Sequence, residues 1–276
     1  VSRGLGDVYK RQIALGAAMC CDSAHKTLPV VTGGAYLHLG ENAPVQEEAA
    51  VRGALALFGS TSPSYLILQS LDACNRQLTE NYPAGLQRCC ARLAALRGEL
   101  NAAAQAAGCP VPLALDGPGR EPLKLTLDAA ALGMTGTALA DALRGGQLEC
   151  EYADPRYVVL MFTPCNPPQD YARLRIVLRQ CLHSLPAVGR LPQPEELAGE
   201  FVALAQQARA HCTIRQAVFA PQERIPVQQA LGRICAMPTV SCPPAIPIAV
   251  SGEEITPAAL ELMQRYGVTE VSVLRR

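Results

Sequence analysis

The chain has 276 residues and a mass of 29.3 kDa, and 49% of its side chains are apolar, so it can bury a core in one large or two smaller domains and is not disordered as a whole. Lysine plus arginine equals aspartate plus glutamate at 24 each, which leaves no long-range field to draw in nucleic acid or an anionic membrane. No apolar run reaches the roughly 18 residues of a membrane span and the start lacks a secretory pattern, so a cytoplasmic protein without nucleic-acid or membrane partners is expected.

Twelve cysteines lie scattered or in adjacent pairs and never at C-x-x-C spacing. Neither a zinc site nor a redox motif is therefore expected, and most of the cysteines read as small buried apolar residues.

Residues 1–12, VSRGLGDVYKRQ, show neither helical nor strand period and end abruptly against IALGAAMCC. They read as a non-native artefact outside the fold. The apolar stretch 13–21 predicts a buried strand stopped at Asp22 and Ser23. A helix is predicted over 63–78, with Tyr65, Leu68, Leu71 and Leu78 at near-helical spacing after Ser62 and Pro63, and a second over 83–107 with a stripe of Leu86, Cys90, Leu93, Leu96 and Leu100. Gly108 and two prolines break it. Beyond them come an alternating strand at 123–128, a helix at 135–143, strands at 148–152 and 157–162, and an amphipathic helix at 170–182, an order that suits a small α/β domain. Pro186, Pro192 and Pro194 mark a linker. After it, helices are expected near 195–210, 227–234 and 257–266, with strands at 248–250 and 271–274.

Lysine is scarce, three residues against 21 arginines. Lys124 lies on the polar face of an alternating strand, where a solvated charge is sufficient explanation. Lys26 lies between an apolar strand and an apolar run, surroundings expected to bury it and favour the free amine. Such a lysine forms Schiff bases with carbonyl compounds. Ser23 and His25, three and one residues before it, are donors suited to a phosphate close to the imine. S-x-H-K by itself is a weak signal, equally a polar loop with a surface lysine.

The longer stretches are more specific. DSAHKTLPVVTGGAYLHLG, then GSTSPSYLILQSLDACNRQL, ECEYADPRYVVLMFTPCNPPQDYARL and CPPAIPIAVSGEEI occur in the order of the Orn/Lys/Arg decarboxylases, which the chain resembles over nearly all of residues 13–276. The resemblance implies an α/β protein in three parts: the end of a fold-type I, aminotransferase-like large domain with a long helical connection over 13–107, a small α/β domain over 108–185, and a C-terminal α+β decarboxylase domain over 186–276. It implies pyridoxal 5′-phosphate as cofactor, held on Lys26 as a Schiff base, with Ser23 and His25 on its phosphate and Lys26 or His25 returning a proton to the substrate. Thr61 and Ser62 match a Ser/Thr pair that reaches the phosphate of a neighbouring subunit, so a homodimer is expected; Ser62 reads equally as a helix N-cap. Glu151 matches an acidic position that could meet a basic substrate side chain, although pairing with an arginine explains it as well.

The implied reaction is decarboxylation of arginine, lysine or ornithine to the amine. The rival readings are another fold-type I enzyme, such as an aminotransferase or lyase, and a non-catalytic homologue that binds a partner subunit. Two departures stand out: Gly33, where many members have glutamine, and Ala245, where the family has glycine. The family's pyridine-nitrogen partner and ring-stacking residue precede the lysine by more than this chain offers, so the chain by itself is expected to be inactive.

Overall fold

The computed structural model describes residues 12–45, 48–183, 194–237, 239–241 and 246–275. They divide into two compact units: the described residues within Val1–Glu99, Asp116–Leu125 and Met161–Tyr171, and those within Leu100–Leu115, Thr126–Leu160 and Ala172–Arg276.

In the first unit the expected buried strand is shorter and wetter than its composition suggests. Residues 13–17 are spent on a helical turn closed by Ala17 N–H on Gln12 O (2.9 Å), and β1 (Met19–Asp22) buries Cys20 alone. It pairs antiparallel with β2 (Tyr36–Leu39), from Met19 opposite Leu39 to Asp22 opposite Tyr36. A 3-10 turn, Ala24–Lys26, sits between the two strands.

Helix α1 (Glu48–Phe58) has no counterpart in the sequence reading, and none of its residues is buried. Gly53 at its centre weakens the local helical signal. Helix α2 (Tyr65–Glu80) starts later than expected because Ser64, not Ser62, is the N-cap: Ser64 Oγ accepts from Ile67 N–H at 3.5 Å. The capping role read into Ser62 is thereby overturned. So is the expected inner stripe, since Tyr65 and Leu68 face solvent and Cys74 is the residue α2 buries. Two hydrogen bonds fasten α2 to β2 and the loop before it, Val31 N–H to Ser70 Oγ (3.2 Å) and Tyr36 OH to Leu71 O (3.0 Å). Helix α3 (Tyr82–Ala106) buries Cys89, Leu93, Leu96, Leu100 and Ala104; of the expected stripe Leu93, Leu96 and Leu100 are inside, while Leu86 and Cys90 are half-buried.

After α3 the chain runs β3 (Lys124–Asp128), α4 (Gly136–Gly145), β4 (Tyr152–Ala153), β5 (Tyr157–Met161) and α5 (Pro168–His183), with β5 central in a sheet of order β3-β5-β4. Alternation in β3 puts Leu125 and Leu127 inside. The strand expected over 148–152 shrinks to β4, because Leu148 N–H closes the end of α4 on Leu143 O (2.9 Å).

The C-terminal part runs α6 (Pro194–Gln207), α7 (Ile214–Phe219), β6 (Gln222–Pro226), β7 (Thr239–Ser241), β8 (Ile246–Ala249), α8 (Pro257–Arg265) and β9 (Glu270–Leu274). Ladders β6–β9 and β7–β8 are antiparallel. Ile248, Ile255, Leu262, Met263, Val271 and Val273 anchor its core. The helix expected near 227–234 is one 3-10 turn, Val227–Gln229; α7, β6 and β7 are additions, each too short to show a period. Pro186, Pro192 and Ala245 lie outside the described residues. Of the described cysteines Cys20, Cys74, Cys89, Cys181 and Cys235 are buried, fewer than the majority expected.

Candidate functional site

The turn that follows β1 brings Ser23, His25 and Lys26 together. Its 3-10 geometry closes through Lys26 N–H on Ser23 O (3.1 Å) and Thr27 N–H on Ala24 O (3.3 Å), with Ala24 fully buried as its anchor. Ser23 precedes the turn with extended backbone and makes no side-chain capping bond, so its hydroxyl stays available. Lys26 is exposed. The expected burial of that amine is therefore corrected: the turn buries Ala24 and Thr27 on either side, while Lys26 itself is exposed.

His25 is fixed twice by one carbonyl. Its backbone N–H donates to Gly34 O at 3.3 Å, and its ring Nδ1 lies 3.1 Å from the same oxygen. A carbonyl only accepts, so Nδ1 carries the proton, and Nε2 of the neutral ring presents a lone pair. Nε2 donates to an anion only as the imidazolium. Two glycines make the contact possible. Gly33 has φ +97°, a conformation that strains glutamine or any other side chain, and a Cβ at Gly34 would sit 2.3 Å from Val30 Cγ1. Gly33, the departure from the family's glutamine, thus has a backbone reason.

Three neighbours escaped the sequence reading. Asp22, at the end of β1, has a buried Oδ2 with no hydrogen-bond partner among the described residues, 3.5 Å from His38 Nε2 on β2. Burial first, and then the Asp22 carboxylate, push the Cys20 thiol up to about 11. Tyr82 OH donates to Thr27 O at 2.9 Å across 55 residues of chain. The A-Y-L-H motif carried a signal for His38; Tyr82 had none beyond its place before a helix, because the contact is wholly tertiary.

Thr61 and Ser62 are exposed in the connection between α1 and α2, where Ser62 N–H is spent on Ser60 Oγ (3.0 Å). Glu151 lies in the second unit just before β4, its side chain exposed and its N–H on Val159 O (2.9 Å). The arginine close to it in sequence, Arg144, pairs instead with Asp141 (2.7 Å) and Glu149 (3.1 Å). The β4–β5 connection is built on Asp154, whose Oδ1 accepts from the N–H groups of Arg156 (2.7 Å) and Tyr157 (2.5 Å). Arg156 in turn makes a buried bidentate pair with Asp128 at 2.8–3.1 Å.

The groups on the Ser23–Lys26 turn suit a ligand that has both a phosphate and an aldehyde: a hydroxyl with no capping bond, an imidazole whose outer nitrogen is uncommitted, and an exposed amine, all within four consecutive residues. Two family models match the chain, Orn/Lys/Arg decarboxylase major domain over residues 7–118 and Orn/Lys/Arg decarboxylase C-terminal domain over residues 197–269. The chain belongs to the Orn/Lys/Arg decarboxylase family. It is 30% identical over 250 residues to an arginine decarboxylase of Bacillus subtilis, covering 87% of this chain and 48% of that protein. An arginine decarboxylase of Bacillus anthracis is 25% identical over 254 residues, covering 91% and 50%. Among solved structures, the Escherichia coli constitutive lysine decarboxylase superposes with a TM-score of 0.65 at 18% identity, over 93% of this chain and 49% of that one. That likeness shows a shared mixed α/β fold. The chain spans about half the length of the curated relatives it matches.

Proposed function

We propose that this chain supplies the cofactor-lysine portion of a pyridoxal 5′-phosphate-dependent decarboxylase that converts arginine, lysine or ornithine into the corresponding amine, and that its large-domain part has the fold-type I arrangement. The observation that carries the reading is the single turn on which Ser23 Oγ, His25 and the Lys26 amine stand together, inside a segment matched by the family's major-domain model. Bound there, the cofactor supplies a carbonyl for imine formation and a ring that accepts the electron pair released when carbon dioxide leaves. Lys26 holds it covalently, and Ser23 donates to its phosphate. His25 joins Ser23 as a phosphate donor when its ring is charged. Once displaced by substrate, the Lys26 amine is the group within the turn able to carry a proton back to the substrate's Cα.

Thr61 and Ser62 are assigned to the phosphate of a second copy, and Glu151 to the basic end of the substrate. Support for a homodimer is the apolar surface around the first of these: Leu57, Phe58, Tyr65 and Leu66 are all at least 63% exposed and flank Thr61 and Ser62 in sequence. The test is carbon dioxide release from arginine, lysine and ornithine by the protein at its natural full length with pyridoxal 5′-phosphate, with and without a 2-oxo acid. Release that is independent of the 2-oxo acid supports decarboxylation. Amino-group transfer to the 2-oxo acid without carbon dioxide refutes it.

A further inference from the structure

The Lys26 turn is short, and its own hydrogen bonds do not account for its last carbonyl. Thr27 ends it with φ −141° and ψ −24° and is 4% exposed, so Thr27 O points into the protein rather than into water. A buried carbonyl without a partner is costly and lets the local main chain rotate in search of one. Tyr82 meets that need. It is 6% exposed, is the first residue of α3, and donates its hydroxyl to Thr27 O at 2.9 Å. Helix α3 is itself held by the fully buried Leu93 and Leu96, so the donor stands on a rigid element.

We propose that Tyr82 is a positioning residue for Lys26: by holding the carbonyl one residue beyond the lysine, its hydroxyl fixes the direction in which the 3-10 turn presents the amine. The inference rests on the reading of Lys26 as the cofactor lysine. The step it serves is a condensation in which the Lys26 nitrogen adds to the aldehyde carbon, a C=N bond forms, and the aldehyde oxygen leaves as water with both amine protons. An amine whose supporting turn wanders spends less time in line with that carbon.

The same unit contains a matched control. Tyr36 OH donates to Leu71 O at 3.0 Å, a tyrosine-to-main-chain bond of the same kind at a different carbonyl. Tyr82→Phe and Tyr36→Phe each remove one oxygen and keep the ring. Both are compared with the unsubstituted chain below the lower of their melting midpoints, at pyridoxal 5′-phosphate concentrations below saturation. Borohydride reduction and peptide mass spectrometry report the fraction of Lys26 that carries a pyridoxyl group, and amide hydrogen exchange reports the mobility of residues 26–28. Tyr82→Phe is expected to lower the labelled fraction about five- to ten-fold and to speed exchange at 26–28, the size of effect that one unmet buried carbonyl carries. Tyr36→Phe is expected to lose similar thermal stability and to leave both readouts unchanged. Equal labelling in the two variants overturns the positioning role and reduces Tyr82 to a stabilising contact. Absence of label on Lys26 in the unsubstituted chain overturns the functional reading and this inference with it, an outcome distinct from full labelling that Tyr82→Phe fails to diminish.

Discussion

Replacing Arg156 by alanine tests how the β4–β5 connection beside Glu151 is held. The guanidinium and the Asp128 carboxylate are 7% and 5% exposed, and Arg156 Nε meets both carboxylate oxygens at 3.1 Å while Nη2 meets Oδ2 at 2.8 Å. Truncation removes those contacts and leaves the Asp128 charge buried, with the Ala130 N–H at 3.0 Å still donating to it. A lone buried partner of a broken pair costs about 3–5 kcal/mol. At about 2–4 °C per kcal/mol for a unit of some 150–250 residues, the melting midpoint should fall by roughly 6–20 °C. Scanning calorimetry and guanidinium unfolding of the two proteins measure this directly. A loss below about 1 kcal/mol would mean that the pair is hydrated like a surface ion pair, and the burial argument would be wrong.

Other consequences are as direct. Cys20 is raised from 9.0 to about 11, chiefly by burial, and Tyr36 from 10.0 to about 12, again chiefly by burial. The unfolded chain therefore releases these protons before the folded one does, so stability is fully present below about pH 9 and declines from there towards pH 12; chemical unfolding at stepped pH should show that fall, and a flat profile would contradict it. Thr213 Oγ1 caps α7 through Gln216 N–H at 3.2 Å in a reciprocal capping box, so Thr213→Ala should cost about 1 kcal/mol in the same unfolding assay. Gly34→Ala drives a methyl group to 2.3 Å from Val30 Cγ1 and should loosen the carbonyl that holds His25, weakening pyridoxal 5′-phosphate binding measured by dialysis while Gly53→Ala, with open space around it, leaves binding intact. If two copies meet across the apolar surface at the α1–α2 connection, Phe58→Glu should convert a dimer to a monomer in sedimentation velocity; an unchanged sedimentation coefficient counts against that face.

The candidate site is easier to place from the sequence than the architecture around it. Ser23, His25 and Lys26 are neighbours in the chain, so one short turn is enough to gather them, and local spacing carries that information. Helix α3 could be placed from periodicity, with Leu93, Leu96 and Leu100 inside as expected and Leu86 and Cys90 half-buried. What failed was whatever depends on tertiary context. Lys26 lies between two apolar stretches yet is exposed, because burial follows from the direction of the turn rather than from composition. Helix α1 has an apolar sequence with a glycine at its centre and no buried side chain, so nothing in the fold around it backs a weak local helical signal. Strand β6, Gln222–Pro226, is polar and ends in proline, and it becomes a strand only because Val271 and Val273 offer a ladder and a core from the far end of the domain. The bonds from Tyr82 to Thr27 and from Arg156 to Asp128 join residues 55 and 28 positions apart, beyond the reach of any pattern read along one sequence.

The most direct test of the account is reduction of the protein with borohydride in the presence of pyridoxal 5′-phosphate, followed by peptide mapping. A pyridoxyl group on Lys26, absent from Lys26→Ala and not transferred to Lys124, is the predicted result. A stable adduct at another lysine, or none at all in protein shown to be folded, would contradict the assignment of this turn as the cofactor site.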